Sequence, residues 1–89
     1  MSLQEEFGRI VRENRKGTVY TQEVLAEHID ITVRHMHTLE YGEAEVGLRT
    51  AVAIADILEI DLNELKKYAV HDSKGYYRKE YDRKGTVDI

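Results

Sequence analysis

The chain has 89 residues, a length that suits one domain with a small hydrophobic core. It contains no cysteine, which excludes disulfide bonds and thiolate metal sites and fits a reducing compartment. It has no run of about 18 apolar residues that would span a bilayer, and its N-terminus is acidic, unlike the basic start of a signal peptide. We therefore expect a soluble, cytoplasmic protein.

The first segment has the apolar spacing of an amphipathic helix. Its inward stripe consists of Leu3, Phe7, Ile10 and Val11. This spacing predicts a helix from about Ser2 to Arg15, ended by Gly17 in a left-handed conformation. Gly8 inside this helix costs about 1 kcal/mol relative to alanine, which indicates that another element packs closely against it.

Two short helices are predicted next, and each has the same start signal. A threonine cap follows one apolar residue, and a second apolar residue lies four positions into the helix. The two sets are Tyr20, Thr21 and Leu25, and Ile31, Thr32 and Met36. Only residues 29–31 separate the helices, and Asp30 tolerates the left-handed conformation that a tight turn needs. Two helices joined this closely must cross steeply, which is the helix-turn-helix geometry.

The stretch from Thr21 to Gly42 resembles the helix-turn-helix of the phage-repressor (Cro-like, or XRE) family of transcriptional regulators. The matching residues are Thr21, Gln22, Leu25, Ala26, Ile31, Thr32, Met36, Leu39, Glu40 and Gly42, followed by Leu48, Ala55, Leu58, Ile60, Leu62 and Leu65. The family usually has glycine where this chain has Asp30. The resemblance implies an all-α, compact five-helix, lambda-repressor-like bundle, with residues 1–70 as the DNA-binding domain and 21–42 as its motif.

A polar loop then leads to Gly47, which would cap a fourth helix from Leu48 to Leu58. The predicted inward positions of this helix are Leu48, Ala51, Val52, Ala55 and Leu58. A third start signal predicts a fifth helix from Leu62 to about Ala69. The signal consists of Ile60, Asp61 and Leu65, with Glu64 completing a capping box.

Residues 71–89 form a tail of different character. Tyrosines and charged residues alternate over residues 76–81, and residues 82–85 have the composition of a turn. This pattern predicts a β-hairpin of residues 76–81 with 86–89. Because an isolated hairpin is marginal in water, it would pack on the bundle or on a second subunit. The alternative is a frayed, partly disordered tail.

The resemblance places the third helix, residues 33–40, in the major groove of double-stranded DNA. By position, the base-contacting residues would be Thr32, Val33, Arg34, His37 and Thr38. Arg34 is the principal candidate because a guanidinium can bond guanine O6 and N7 together; the alternatives are a phosphate contact or a solvated side chain. Val33 could meet a thymine methyl group.

The resemblance also assigns residues outside the third helix. It gives Gln22 a phosphate contact. Further candidates for phosphate contacts are Thr21, which is first a helix cap, and the first-helix cations Arg9, Arg12 and Lys16, whose charge nearby glutamates dilute. Gln22 lies at a helix N-terminus, where backbone N–H groups favour an anion. Arg15 and Glu40 match a buried ion pair that joins the first helix to the third. The protein would act as a homodimeric repressor, with its two recognition helices about 34 Å apart.

Charge is the main objection to DNA binding. Through Val70 there are eight Lys or Arg and thirteen Asp or Glu, a formal charge of −5, and the remaining residues carry +1. Phosphate neutralisation supplies most non-specific affinity. The alternative function is therefore a protein-interaction module of the same fold, such as an antitoxin, an antirepressor or a DNA mimic. Tyr76, Tyr77 and Tyr81 are the candidates for a dimer or partner contact.

Catalytic and metal chemistry have little support in the sequence. There is no cysteine nucleophile, no glycine-rich phosphate loop and no His-Glu-x-x-His motif. His35 and His37 are two residues apart and face different sides of a helix, so they cannot chelate one ion. We expect no enzymatic activity, no metal site, no cofactor and no association with a membrane.

Overall fold

The computed structural model describes residues 2–66, and all the regular secondary structure in this range is helical. Helices α1 to α4 span Leu3–Arg15, Gln22–His28, Val33–Glu40 and Leu48–Leu58, and a 3₁₀ segment spans Leu62–Leu65. The all-α prediction is confirmed for these residues. The predicted continuation of the last helix to Ala69 and the hairpin of residues 76–81 with 86–89 lie outside the described residues.

Threonine caps begin α2 and α3. The Thr21 Oγ1 atom accepts the backbone N–H of Val24 at 3.1 Å, and Thr32 Oγ1 accepts that of His35 at 3.0 Å. Both caps have extended backbone angles, and both were expected from the sequence. The predictions are therefore confirmed, and each cap contributes about 1 kcal/mol to stability.

The capping box predicted from Asp61 and Glu64 is replaced by a different set of hydrogen bonds. Asp61 Oδ1 accepts the N–H of Asn63 at 3.0 Å, and the Glu64 N–H bonds the Asp61 carbonyl at 3.2 Å. These short-range bonds wind residues 62–65 as a 3₁₀ helix, so the helix begins at Leu62 as predicted but in the tighter 3₁₀ form. Ser2 and Glu5 instead form a capping box at the start of α1.

Asp30 forms the tight turn between α2 and α3. Its φ angle is 59°, the left-handed conformation expected for it. The Ile31 N–H bonds the Ala26 carbonyl at 3.0 Å, and the Asp30 N–H bonds that of Glu27 at 3.3 Å. These bonds satisfy carbonyl groups at the end of α2, and the turn brings α3 back against α2.

Residues from all four α-helices form the core. Its buried members are Phe7, Val11, Leu25, Ala26, Met36, Leu39 and Ile54. Met36 and Leu39 of α3 are buried, as their spacing predicts. Because α3 packs against both α1 and α2, its inward side is fixed and its opposite side faces the solvent.

Helix α4 packs through a face that only partly matches the predicted one, since Ala51, Ala55 and Leu58 pack inward as predicted and Leu48 and Val52 do not. Leu48 and Val52, both expected to point inward, are 80% and 50% exposed, whereas Ile54 is fully buried. Ala55 is also buried, and Leu58 packs against the core. The prediction is wrong for Leu48 and Val52 because α4 has apolar residues on several faces, and contact with α1 selects the one that is buried.

Gly8 allows α1 to approach the end of α3 closely. A Cβ atom at Gly8 would lie 2.4 Å from the backbone oxygen of Glu40 and 2.7 Å from that of Leu39. Both distances are far below a normal contact, so the close packing predicted at this glycine is confirmed. Gly8 therefore sets how near α1 can lie to α3.

Replacing Gly8 by alanine should destabilise the protein by about 1–3 kcal/mol, because the methyl group would overlap backbone atoms of α3. Urea denaturation would measure this loss. Gly47→Ser is the matched control, since a Cβ there meets nothing within 4 Å and Gly47 caps α4 without a side-chain bond. That control should match the parent or gain a few tenths of a kcal/mol. Equal stability of the two variants would contradict the close approach.

Candidate nucleic-acid interface

The Glu40 carboxylate joins three helices at the end of α3. Its side chain is fully buried. Arg15 of α1 donates two hydrogen bonds to it, from Nε to Oε2 at 2.8 Å and from Nη2 to Oε1 at 2.9 Å. Gln22 of α2 donates from Nε2 to Oε1 at 3.1 Å. The ion pair expected between Arg15 and Glu40 is present, and Gln22 completes its hydrogen bonding.

The ion pair favours the charged form of Arg15. The hydrogen bond to Glu40 raises the pKa of Arg15 above its ordinary value, although partial burial acts in the opposite direction. A group with a raised folded-state pKa contributes stability that is complete below its unfolded-state pKa. That contribution is lost only as the pH rises through the raised value. Arg15 therefore remains charged at every physiological pH.

Arg12 contacts the carboxyl end of α3 from the outside. Its Nη1 donates to the backbone oxygen of Glu40, which belongs to the partly negative end of the helix. Its guanidinium carbon lies 5.0 Å from the centroid of the Tyr41 ring, a cation–π distance. The His37 ring packs against the Tyr41 ring, with the two ring centroids 4.6 Å apart. The contacts of Tyr41 were not predicted from the sequence, although its spacing of four from His37 was a usable signal.

The outer side of α3 presents most of the expected base-contacting residues. Four of them are exposed: Thr32, Val33, Arg34 and His37. Thr38 is half-buried, and its hydroxyl donates to the His35 carbonyl at 2.9 Å. Arg34 makes no hydrogen bond or ion pair with any residue that the structure describes. Because Glu40 is the one acidic residue of α3 and is buried, no carboxylate of α3 reaches the solvent.

Three of the expected phosphate contacts lie near Glu40 or the start of α2. Thr21 uses its hydroxyl oxygen to cap α2. Gln22 donates one amide hydrogen to Glu40, which fixes the orientation of the amide because a carboxylate only accepts. The second amide hydrogen has no acceptor among the described residues and could bond a phosphate oxygen. Arg12 likewise has N–H donors beyond the one bonded to Glu40.

The other two expected phosphate contacts form ion pairs with carboxylates of α1. Arg9 Nη2 lies 2.5 Å from Glu6 Oε1, and Glu6 is buried. Lys16 Nζ lies 3.6 Å from Glu13 Oε1, and both side chains are exposed. These carboxylates offset the positive charge of Arg9 and Lys16, so their local field is weaker than the sequence suggested.

The remaining expected contacts, Tyr76, Tyr77 and Tyr81, lie outside the described residues. Within residues 2–66 no group of three or more His, Cys, Asp or Glu side chains could hold a metal ion. None of the helices in that range is both long and apolar enough to cross a bilayer. The chain matches none of the protein-family models, curated proteins or solved structures with which it was compared. A proposal for the function must therefore be based on the side chains of α3 and of the residues around it.

Replacing Glu40 by glutamine keeps the side-chain shape but removes the charge that compensates Arg15. We expect a loss of about 2–3 kcal/mol in the free energy of unfolding, because the partly buried guanidinium of Arg15 would lack its counter-ion. Arg15→Lys should cost less, since it keeps the charge and loses the two-point bond.

The measurement is urea unfolding of the single variants Arg15→Met and Glu40→Met and of the double variant that combines them. The double variant should lose less free energy of unfolding than the two single variants lose together, because it leaves neither charge without its counter-ion. Strict additivity would contradict the coupling of Arg15 and Glu40.

Proposed function

We propose that the chain is a sequence-specific, DNA-binding transcriptional regulator of the phage-repressor (Cro-like, XRE) type and that it acts as a repressor. The observation that carries this proposal is the division of α3 into two sides. Its inner side is held by three buried residues, Met36, Leu39 and Glu40. Its outer side presents hydroxyl, apolar, guanidinium and imidazole groups to the solvent and has no exposed carboxylate.

In this proposal α3 enters the major groove with its N-terminal half towards the bases. The eight residues of α3 form a rod about 12 Å long, comparable with the groove width of about 12 Å. Arg34 would donate to O6 and N7 of guanine, and Val33 would contact a thymine methyl group. Gln22 and Arg12, which adjoin Glu40, would bond phosphate oxygens and set the position of the helix.

The acidic composition still leaves two positive side chains near α3 without a carboxylate partner among the described residues. Residues 2–66 contain seven Lys or Arg and thirteen Asp or Glu, a formal charge of −6. Within that range the side chains of Arg9, Arg15 and Lys16 pair with carboxylates, whereas Arg12 and Arg34 form no such pair. Arg34 lies in the first turn of α3 and Arg12 contacts its last residue, so the two charges are separated by roughly 10 Å along the helix.

A homodimer would double the number of these positive side chains and place two copies of α3 about 34 Å apart, one helical turn of DNA. The five-helix lambda-repressor-like arrangement belongs to the same proposal, with residues 1–70 as the DNA-binding domain and residues 71–89 as a C-terminal tail. A cytoplasmic location and the absence of enzymatic activity are also part of it.

The formal charge of −6 favours a second candidate function, a protein-interaction module with weak DNA affinity. An antitoxin, an antirepressor or a DNA mimic would use the same fold in this way. Such a protein would bind a partner through surfaces other than α3, because the outer side of α3 lacks the carboxylates that a basic partner requires.

DNA binding should first be measured with mixed genomic fragments at two salt concentrations, about 50 and 200 mM. If a dimer neutralises about four phosphates, its affinity should fall roughly 100-fold between them. Selection of binding sites from a random DNA library should then yield a palindrome with half-sites one helical turn apart. No binding at the lower salt by a folded, dimeric protein would contradict the proposal and favour the second candidate.

Arg34→Ala should weaken binding to the selected site by about tenfold or more and relax the preference at one base position. Lys66→Ala is the matched control, because it also removes one positive charge from an exposed position. Lys66 follows the 3₁₀ segment, and that segment packs against α1. The control should bind the selected site as the parent does. Equal losses on selected and random DNA would show that Arg34 contacts phosphate and does not read a base.

A further inference from the structure

An apolar groove of about 430 Å³ lies between α1, the start of α4 and the 3₁₀ segment. Its walls are formed by Leu3, Phe7, Val46, Ala51, Leu62 and Leu65. Glu45 and Lys66 supply charged groups at its edge. No residue of α2 or α3 lines the groove, so it is separate from the proposed DNA-binding surface.

The apolar surface continues from the groove along α4. Leu48 and Val52 are exposed, at 80% and 50%, and they are helical neighbours of each other at a spacing of four. Leu48 is also three residues from Ala51, which lines the groove. Adjacent exposed apolar side chains beside an apolar groove mark an interaction surface.

The chain supplies a segment whose chemistry matches this surface. Residues 67–89 follow Lys66, which itself lines the groove. They include four of the six tyrosines, Tyr68, Tyr76, Tyr77 and Tyr81. They also contain six Lys or Arg and four Asp or Glu, a formal charge of +2 against −6 for residues 2–66. The two parts of the chain are therefore complementary in charge as well as in apolar character.

We propose that residues 67–89 dock onto this groove in their own subunit. Tyr76 and Tyr77 lie against its apolar walls, and Arg78 and Lys79 face Glu45. Tyrosine suits a groove that opens to water, because its ring is apolar and its hydroxyl can remain solvated. The proposal is independent of DNA binding, and it assigns residues 67–89 to a contact within one subunit.

Chain geometry and tethering favour this occupant over a second copy. The nine residues 67–75 span up to about 30 Å when extended, enough to return from Lys66 across the groove. A segment tethered at the groove edge has an effective concentration in the millimolar range. A second copy at micromolar concentration would therefore compete poorly for the same surface.

A nitroxide spin label tests the proposal in the full-length chain, without DNA. Because the chain has no cysteine, Gln4→Cys creates a single labelling position at the groove. In isotope-labelled, spin-labelled protein, the amide signals of residues 76–79 should lose intensity relative to the same sample with a reduced label. In a mixture of spin-labelled protein and isotope-labelled parent protein, these signals should keep their intensity.

Two controls make the result decisive. Glu27→Cys places the label on an exposed position of α2, which does not line the groove, and should leave the signals of residues 76–79 intact. Adding Tyr76→Ser and Tyr77→Ser to the Gln4→Cys protein should restore the signals of Arg78 and Lys79. Signal loss in the mixture would assign the groove to a second copy. That result, equal intensities with both label positions, or no restoration by the serine variant would overturn the proposal.

Discussion

The buried carboxylate of Glu40 is the constraint on which the rest of the bundle depends. A buried charge costs several kcal/mol unless it is paired and hydrogen-bonded, so Arg15 of α1 and Gln22 of α2 must both reach the end of α3. Gly8 makes this approach possible, because any larger residue would overlap the Glu40 carbonyl. Apolar residues of similar volume could stabilise the bundle equally well. We infer that the ion pair serves mainly to fix the orientation of α3.

The parts of the fold that depend on local chemistry could be predicted from the sequence. The caps at Thr21 and Thr32 and the turn at Asp30 involve residues within a few positions of one another. The buried face of α4 could not be predicted in this way, because apolar residues occur at Leu48 and Val52 as well as at inward positions. Packing against α1 selects the buried face, and the spacing of α4 alone does not contain that information.

The same distinction between local and long-range contacts applies to the candidate site. The pairing of Arg15 with Glu40, 25 residues apart, was inferred from a family resemblance, because local spacing cannot bring α1 to α3. The contact of Arg12 with Tyr41 depends on how α1 crosses the end of α3, so no motif indicated it. The Ser2–Glu5 capping box was also not predicted, although its Ser-x-x-Glu spacing is a local signal that the sequence contains.

The outer side of α3 differs in chemistry from the acidic composition of residues 2–66. Val33, His37 and Tyr41 follow one another at a spacing of four, and Val33 and Tyr41 are 42% and 53% exposed. Arg12 lies over the Tyr41 ring and Arg34 follows Val33, so apolar, aromatic and positive groups occur together on this side of α3. Such a surface complements base edges, methyl groups and phosphates. The formal charge of −6 is a property of residues 2–66 as a whole, whereas α3 itself exposes no carboxylate.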